Sequence, residues 1–164
     1  MADITHVVGV DPGLVHTGCV RMVFVPLART ILVEHLVVVG PDAVAVRDWA
    51  RGPQPYGVPP QIYIEDYKPR HHYAPDMQMV AAVSMMRKEV AGHLLLNTGV
   101  KKVVRRQLMD LLGVWSFSTV THHQDLRSAA RIGIYGMLKH AVMNELLADV
   151  VADHLKGRTW QVKS

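Results

Sequence analysis

The chain has 164 residues, 49% of them apolar and 20% charged, which suits one globular domain with a real core. No run of about 20 apolar residues offers a membrane span, the opening MADITHVVGVD is not expected to be a signal peptide, and a lone Cys19 excludes an internal disulfide and the usual cysteine zinc site while fitting a reducing cytoplasm. The formal net charge is +4 with ten histidines besides, and the pI of 9.4 lies above the rough threshold of about 9 that points to a nucleic-acid partner.

Residues 6–10 (HVVGV) are a short apolar run that ends at Asp11-Pro12-Gly13, a turn signal. Such a run predicts a buried strand. Residues 18–25 and 30–39 predict two more strands. Their connections are too short for crossovers, so the three form an antiparallel meander. Pro41-Asp42 opens a short helix to about Trp49. Residues 52–60 (GPQPYGVPP) hold four prolines and two glycines and form a loop. Residues 61–65 (QIYIE) are a brief strand running into Asp66, and a basic loop follows over residues 68–73.

Pro75-Asp76 starts a helix expected to run to about Leu96. Its stripe of Met79, Val83, Met86 and Val90 fits core or dimer packing. Residues 100–104 are the expected fifth strand, and residues 107–112 a short helix stopped by Gly113. Asp125 begins a last long helical stretch carrying Ile134, Leu138, Val142, Leu146 and Val150, with a break expected near Gly133 or Gly136. The segment after Gly157 is basic and expected to fray. The expected organisation is one domain over residues 1–156 with a basic tail over 157–164. Its fold class is α/β, a five-stranded mixed sheet flanked by helices. A right-handed crossover places the fourth and fifth strands in the same sheet as the meander.

Three acids stand at informative places. Asp11 ends the first strand, Glu65 ends the fourth, and Asp125 begins the last helix. Each alone has a structural reading, as a turn former, a solvated strand end or a helix N-terminal charge. If the first and fourth strands are parallel neighbours, Asp11 and Glu65 emerge side by side, and a helix across that edge adds Asp125. Converging carboxylates bind hard cations, above all Mg²⁺. Two such ions, about 3.5–4 Å apart, serve phosphodiester cleavage.

Three segments carry a family resemblance. Val7-Val8-Gly9-Val10-Asp11-Pro12-Gly13-Leu14 with Thr17-Gly18, Ile62-Tyr63-Ile64-Glu65, and His123-Gln124-Asp125-Leu126-Arg127-Ser128-Ala129-Ala130 are similar, in order and spacing, to the acid-bearing segments of the RuvC Holliday junction resolvases. The resemblance spans about residues 5 to 145. It implies a ribonuclease H-like fold and a Mg²⁺-dependent endonuclease that nicks four-way junctions as a homodimer. Two ions per site are implied, with Mn²⁺ as a substitute. Asp11, Glu65 and Asp125 would be the metal ligands. The family's fourth acid, three residues after the third, is Ser128 here. Its hydroxyl can orient a water but brings no charge. His122 or His123 could hold a water or a phosphate in compensation, and Asp66 is another contributor to weigh. The loop after the Glu, here Tyr67, Lys68, Arg70, His71, His72 and Tyr73, would contact DNA, with Tyr67 or Tyr73 as the aromatic wedge. Lys101, Lys102, Arg105 and Arg106 form a second basic set. The stripe of Met79, Val83 and Met86 would be the dimer surface. The short chain and Ser128 favour a bacteriophage-type member, whose relatives cut a wider range of branched DNA.

Three other readings remain at the level of sequence. One is a nuclease of the same fold acting on RNA–DNA hybrid or flaps. Another is a phosphotransferase of the actin and sugar-kinase fold, disfavoured by a length that gives one domain and by the lack of a later glycine-rich loop. The third is a non-catalytic junction-binding dimer. Partner helicases and a preferred cleavage motif are not legible.

Overall fold

The computed structural model describes residues 3–69, 74–117 and 121–164. Its first three strands are β1 (Thr5–Asp11), β2 (His16–Val25) and β3 (Thr30–Val39). They form the expected antiparallel meander, with Asp11 opposite Gly18 and Val25 opposite Thr30. Helix α1 (Ala43–Arg51) follows, capped by the Asp42 carboxylate, which accepts from the Ala45 N–H at 3.0 Å. Strand β4 (Gln61–Asp66) then pairs parallel to β1, with Val10 beside Ile64.

Helix α2 (Met77–Val90) is shorter than its apolar pattern suggests. Asp76 caps its start, and Ala91, in the left-handed region at φ 54, ends it. The fifth strand comes earlier than expected. It is β5 (His93–Leu96), parallel to β4, whereas Val100–Val103 forms the single turn α3. The run HLLL prolongs the helical apolar pattern, so sequence periodicity merged it with α2. Gly92 lets the chain turn against the sheet there, since a Cβ on it would meet Ile64 Cδ1 at 2.8 Å.

Helices α4 (Arg106–Leu111), α5 (His123–Lys139) and α6 (Ala141–Leu155) complete the α-layer. The break in the last helical stretch falls at His140, which is extended (φ −103, ψ 119), and not at Gly133 or Gly136. Both glycines lie inside α5, where the helix presses on the sheet. The segment expected to fray supplies β6 (Gln161–Lys163), which pairs parallel to β3. Trp160 anchors it, buried and donating its indole N–H to Asp153 at 3.1 Å. The sheet therefore has six strands rather than five, in the order β5-β4-β1-β2-β3-β6.

Strand alternation sorts the core into two layers. Val7, Val20, Met22, Phe24 and Tyr63 face α5 and α6. Val8, Val10, Cys19, Ile62 and Ile64 face α1 and α2. Met86 and Val90 of α2 belong to that second cluster, and Val83 is buried as well. The stripe expected as a dimer surface is thus mostly internal: a helix on one side of the sheet turns its apolar stripe inward.

Helix α5 lies directly on β1. A Cβ on Gly9 would sit 1.9 Å from the Ala129 carbonyl oxygen, and one on Gly133 would sit 3.4 Å from Gly9 Cα. Gly9→Ala is expected to push α5 off the sheet and destabilise the chain by at least about 1–3 kcal/mol, the usual range for overpacking. At roughly 2–4 °C per kcal/mol for a chain of this size, a thermal melt reads that loss. An unchanged melting temperature would show that the helix is free to shift.

Candidate active site

The alternation that builds the core also builds the site. Val7 faces α5, so Gly9 and Asp11 do too, two and four residues on. In β4, Tyr63 faces α5, and so does Glu65. In β2, Val20 and Met22 face α5, which puts Gly18 and His16 on the same side. Asp11 and Glu65 therefore stand at the C-terminal ends of adjacent parallel strands. The first turn of α5 crosses the same edge, although the carboxylates of Asp11, Glu65 and Asp125 do not close within 4.8 Å of one another as a trio. A Cβ on Gly18 would come within 2.7 Å of the Asp125 carbonyl, so only glycine lets Asp125 close on this edge.

The electrostatics of Asp11 follow from this placement. Burial first, then the charge and hydrogen bond of Glu65 and the charge of Asp125, push the Asp11 carboxyl up from 3.8 to about 9. Glu65 is oriented from its far side, where Asn97 Nδ2 donates to its Oε1 at 2.6 Å. Among the described residues, no cation forms an ion pair with Asp11 or Glu65. The cleft over the pair has a volume of about 640 Å³ and is lined by Asp66, Tyr67, Lys68, Lys101 and Lys102 among others.

Asp125 has a different set of neighbours. His122 Nδ1 lies 3.6 Å from Asp125 Oδ2, and the His122 ring lies 4.3 Å from that of His16. One donor atom from each of His16, His122 and Asp125 falls within 4.8 Å of the others, so the three could close on one metal ion. The half-buried group adds two imidazoles to the acids.

The other expected site residues divide. His123 turns to Phe117, whose backbone N–H approaches its Nδ1 at 3.5 Å. Ser128 lines a neighbouring cleft with Lys101, Trp115, Gln124, Arg127 and Arg131. The Asp66 carboxylate accepts from the Tyr67 N–H at 2.9 Å. The Tyr67 hydroxyl accepts from the Asp76 N–H at 3.0 Å, which ties its ring to the start of α2. Arg105 Nε donates to the Lys102 carbonyl at 3.2 Å, and Arg106 pairs with Asp110 at 3.4 Å. Arg70, His71, His72 and Tyr73 lie outside the described residues.

Two members of the site escaped sequence reasoning. His16 is legible only once the β1–β2 register shows that it shares a face with Asp11 and Gly18. Asn97 follows β5, in a segment whose pattern reads as helix.

No protein-family model matches the chain, and no curated protein matches it. Among solved structures it is similar to Thermus thermophilus RuvC at 15% identity and a TM-score of 0.52, covering 88% of this chain and 96% of that one. The chain has the ribonuclease H-like fold of RuvC. The T. thermophilus RuvC in complex with Holliday junction substrate gives the same identity and TM-score over 87% of this chain and 96% of that chain. The resolvase of Fowlpox virus, in complex with Holliday junction DNA, aligns at 14% identity over 87% of this chain and 99% of that chain, with a TM-score of 0.45.

The raised Asp11 pKa has a thermodynamic consequence. Between 3.8 and about 9 the folded chain holds a proton that the unfolded chain releases. Stability therefore falls as pH rises through that window and recovers as pH falls through it. Asparagine mimics the protonated acid without that penalty. Asp11→Asn is expected to melt a few degrees above the wild type at pH 8 in EDTA, with the gap narrowing at pH 5. A divalent cation should also narrow it by binding the native wild type. Equal melting curves at both pH values would mean that Asp11 is not crowded by the other acids.

Proposed function

We propose that the chain is a divalent-metal-dependent endonuclease that hydrolyses phosphodiesters in branched DNA, four-way junctions foremost. The observation that carries this reading is the pair of Asp11 and Glu65 on adjacent parallel strand ends, with Asp125 on the first turn of α5 across the same edge and near enough to act on the Asp11 charge. The shared fold with RuvC and the basic character of the chain support it.

The donor set fits divalent cations. Crowded carboxylates without an ion-pair partner among the described residues are relieved by a bound positive charge. Asp11 and Glu65 would hold one ion through oxygen alone, the preference of Mg²⁺. Asp125, His122 and His16 would hold a second through one oxygen and two nitrogens. Imidazole suits transition metals, so this second position favours Mn²⁺ over Mg²⁺. When bound, such ions lower the pKa of an attacking water and stabilise the leaving oxygen, giving 5′-phosphate and 3′-hydroxyl ends. Asn97 keeps Glu65 turned toward Asp11. Lys68, Lys101 and Lys102 line the cleft where phosphates flanking the cut would lie. Symmetric nicking of a junction needs two sites and therefore a homodimer, whose interface would use a face other than the internal stripe of α2.

Four-way junction, fork, flap, linear duplex and RNA–DNA hybrid are the substrates to compare, with Mg²⁺, Mn²⁺ or EDTA. Paired nicks in the junction that disappear in EDTA and in Asp11→Asn or Glu65→Gln are expected. Junction affinity should persist in both variants, because neither adds negative charge to the cleft and both leave its lysines in place. Cutting confined to the hybrid would reassign the substrate, and a wild-type rate in Asp11→Asn would remove the site. His16→Ala should weaken Mn²⁺ binding by at least about tenfold, the lower end of what losing even an outer-shell partner costs. Calorimetric titration measures it, and an unchanged Mn²⁺ affinity would remove His16 from the metal site.

A further inference from the structure

Beside the acid cleft lies a second, smaller one with no acid in its lining. It has a volume of about 250 Å³ and is lined by Lys101, Trp115, Gln124, Arg127, Ser128 and Arg131. Four of these follow one another on α5 at i, i+3, i+4 and i+7, so they form a single polar face of that helix. The opposite face, with Leu126, Ala129, Ala130 and Gly133, is buried on the sheet.

The arginines are held in place without being neutralised. Arg127 donates from Nε to the Trp115 carbonyl at 2.7 Å and stacks 3.9 Å above its ring. The guanidinium of Arg131 lies 5.7 Å from the same ring and that of Arg106 lies 4.8 Å from it. Among the described residues, neither Arg127 nor Arg131 pairs with a carboxylate. The Nε of Arg131 is buried and, among the described residues, has no hydrogen-bond partner. Burial and the charge of Arg127 also lower the Arg131 pKa, the mark of cations packed together without a counter-charge. Leaving a buried charged donor unpaired costs more than an ordinary missing bond.

We propose that this cleft binds a phosphodiester of the DNA strand being cut, at a position other than the scissile bond. The inference rests on the nuclease reading for the source of the phosphate, but the anion chemistry stands apart from it. Lys101 lines both clefts and so joins them. From Asp125 to Arg131 the helix advances about 9 Å at 1.5 Å per residue. That length corresponds to two or three nucleotides at roughly 3.4 Å per step. The planar forks of Arg127 and Arg131 suit a phosphate's paired oxygens better than lysines would. Ser128 then serves as a neutral hydrogen-bond donor to the backbone rather than as a substitute for an acid.

The test measures junction affinity in Ca²⁺ across a salt series, for wild type, Arg131→Gln and Arg131→Lys. Arg131→Gln is expected to reduce the slope of log affinity against log salt by about 0.9, the value for one lost phosphate contact. Arg131→Lys should restore most of the slope. Single methylphosphonate substitutions along the cut strand should reveal one position, two or three nucleotides from the cut, that weakens wild type but not Arg131→Gln. Equal slopes, or equal losses for both proteins at every position, would overturn the proposal. A parallel arm uses inorganic phosphate alone, which should raise the melting temperature of wild type but not of Arg131→Gln. If wild type binds no DNA, the nuclease reading falls, and the phosphate arm still decides the cleft. Protection of wild type alone supports an anion site, whereas equal protection or none overturns it.

Discussion

Everything at the candidate site depends on how closely α5 approaches β1. A helix on a sheet ordinarily rests on side chains, but here backbone meets backbone at Gly9 and Ala129. That contact fixes the height of the helix above the sheet, and Gly18 lets its first turn descend to the strand ends. Asp125 is therefore delivered to Asp11 and Glu65 by packing, with the hydrophobic core below supplying the free energy. The crowding of like charges is a cost borne by that core. It is the form of local destabilisation expected where function requires groups that stability would keep apart.

Charge is arranged in layers around this point. Three carboxylates sit at the centre with two imidazoles at one side. Lysines line the open cleft, and arginines fill the next one. The same pattern explains why the arginine cluster lies along α5 rather than on a loop. The helix that carries Asp125 also carries Arg127 and Arg131, so the acid and the arginines are held on one rigid element.

What could be read from the sequence was what local rules determine. The run from Val7 to Val10 must be a strand because it is apolar, β-branched and stopped by Asp-Pro-Gly. Asp11 therefore had to stand at a strand end. Glu65 followed from the same reasoning, and Asp125 from the start of the apolar period in α5. The prediction failed where two structures share one pattern. HLLL prolongs the stripe of α2 and became a strand only because Ala91 and Gly92 turn the chain back along β4. The stripe of Met79, Val83 and Met86 fitted a dimer face or a core, and its position against the sheet turned Val83 and Met86 inward while Met79 stays half-buried at the cleft.

The sequence by itself determined the meander and the position of each of the three acids at an element end, because strand period, turn chemistry and short connections act over a few residues. Tertiary structure alone decided the sixth strand, since β6 exists by pairing with the open edge of β3, far away in the chain. It also decided the company the acids keep. His16 reaches Asp125 through strand register, Asn97 reaches Glu65 through the placement of β5, and Trp115 gathers three arginines from two helices. The first two of these depend on the full sheet order. That order is set by the competition of all strands for a single buried layer, which no local pattern records.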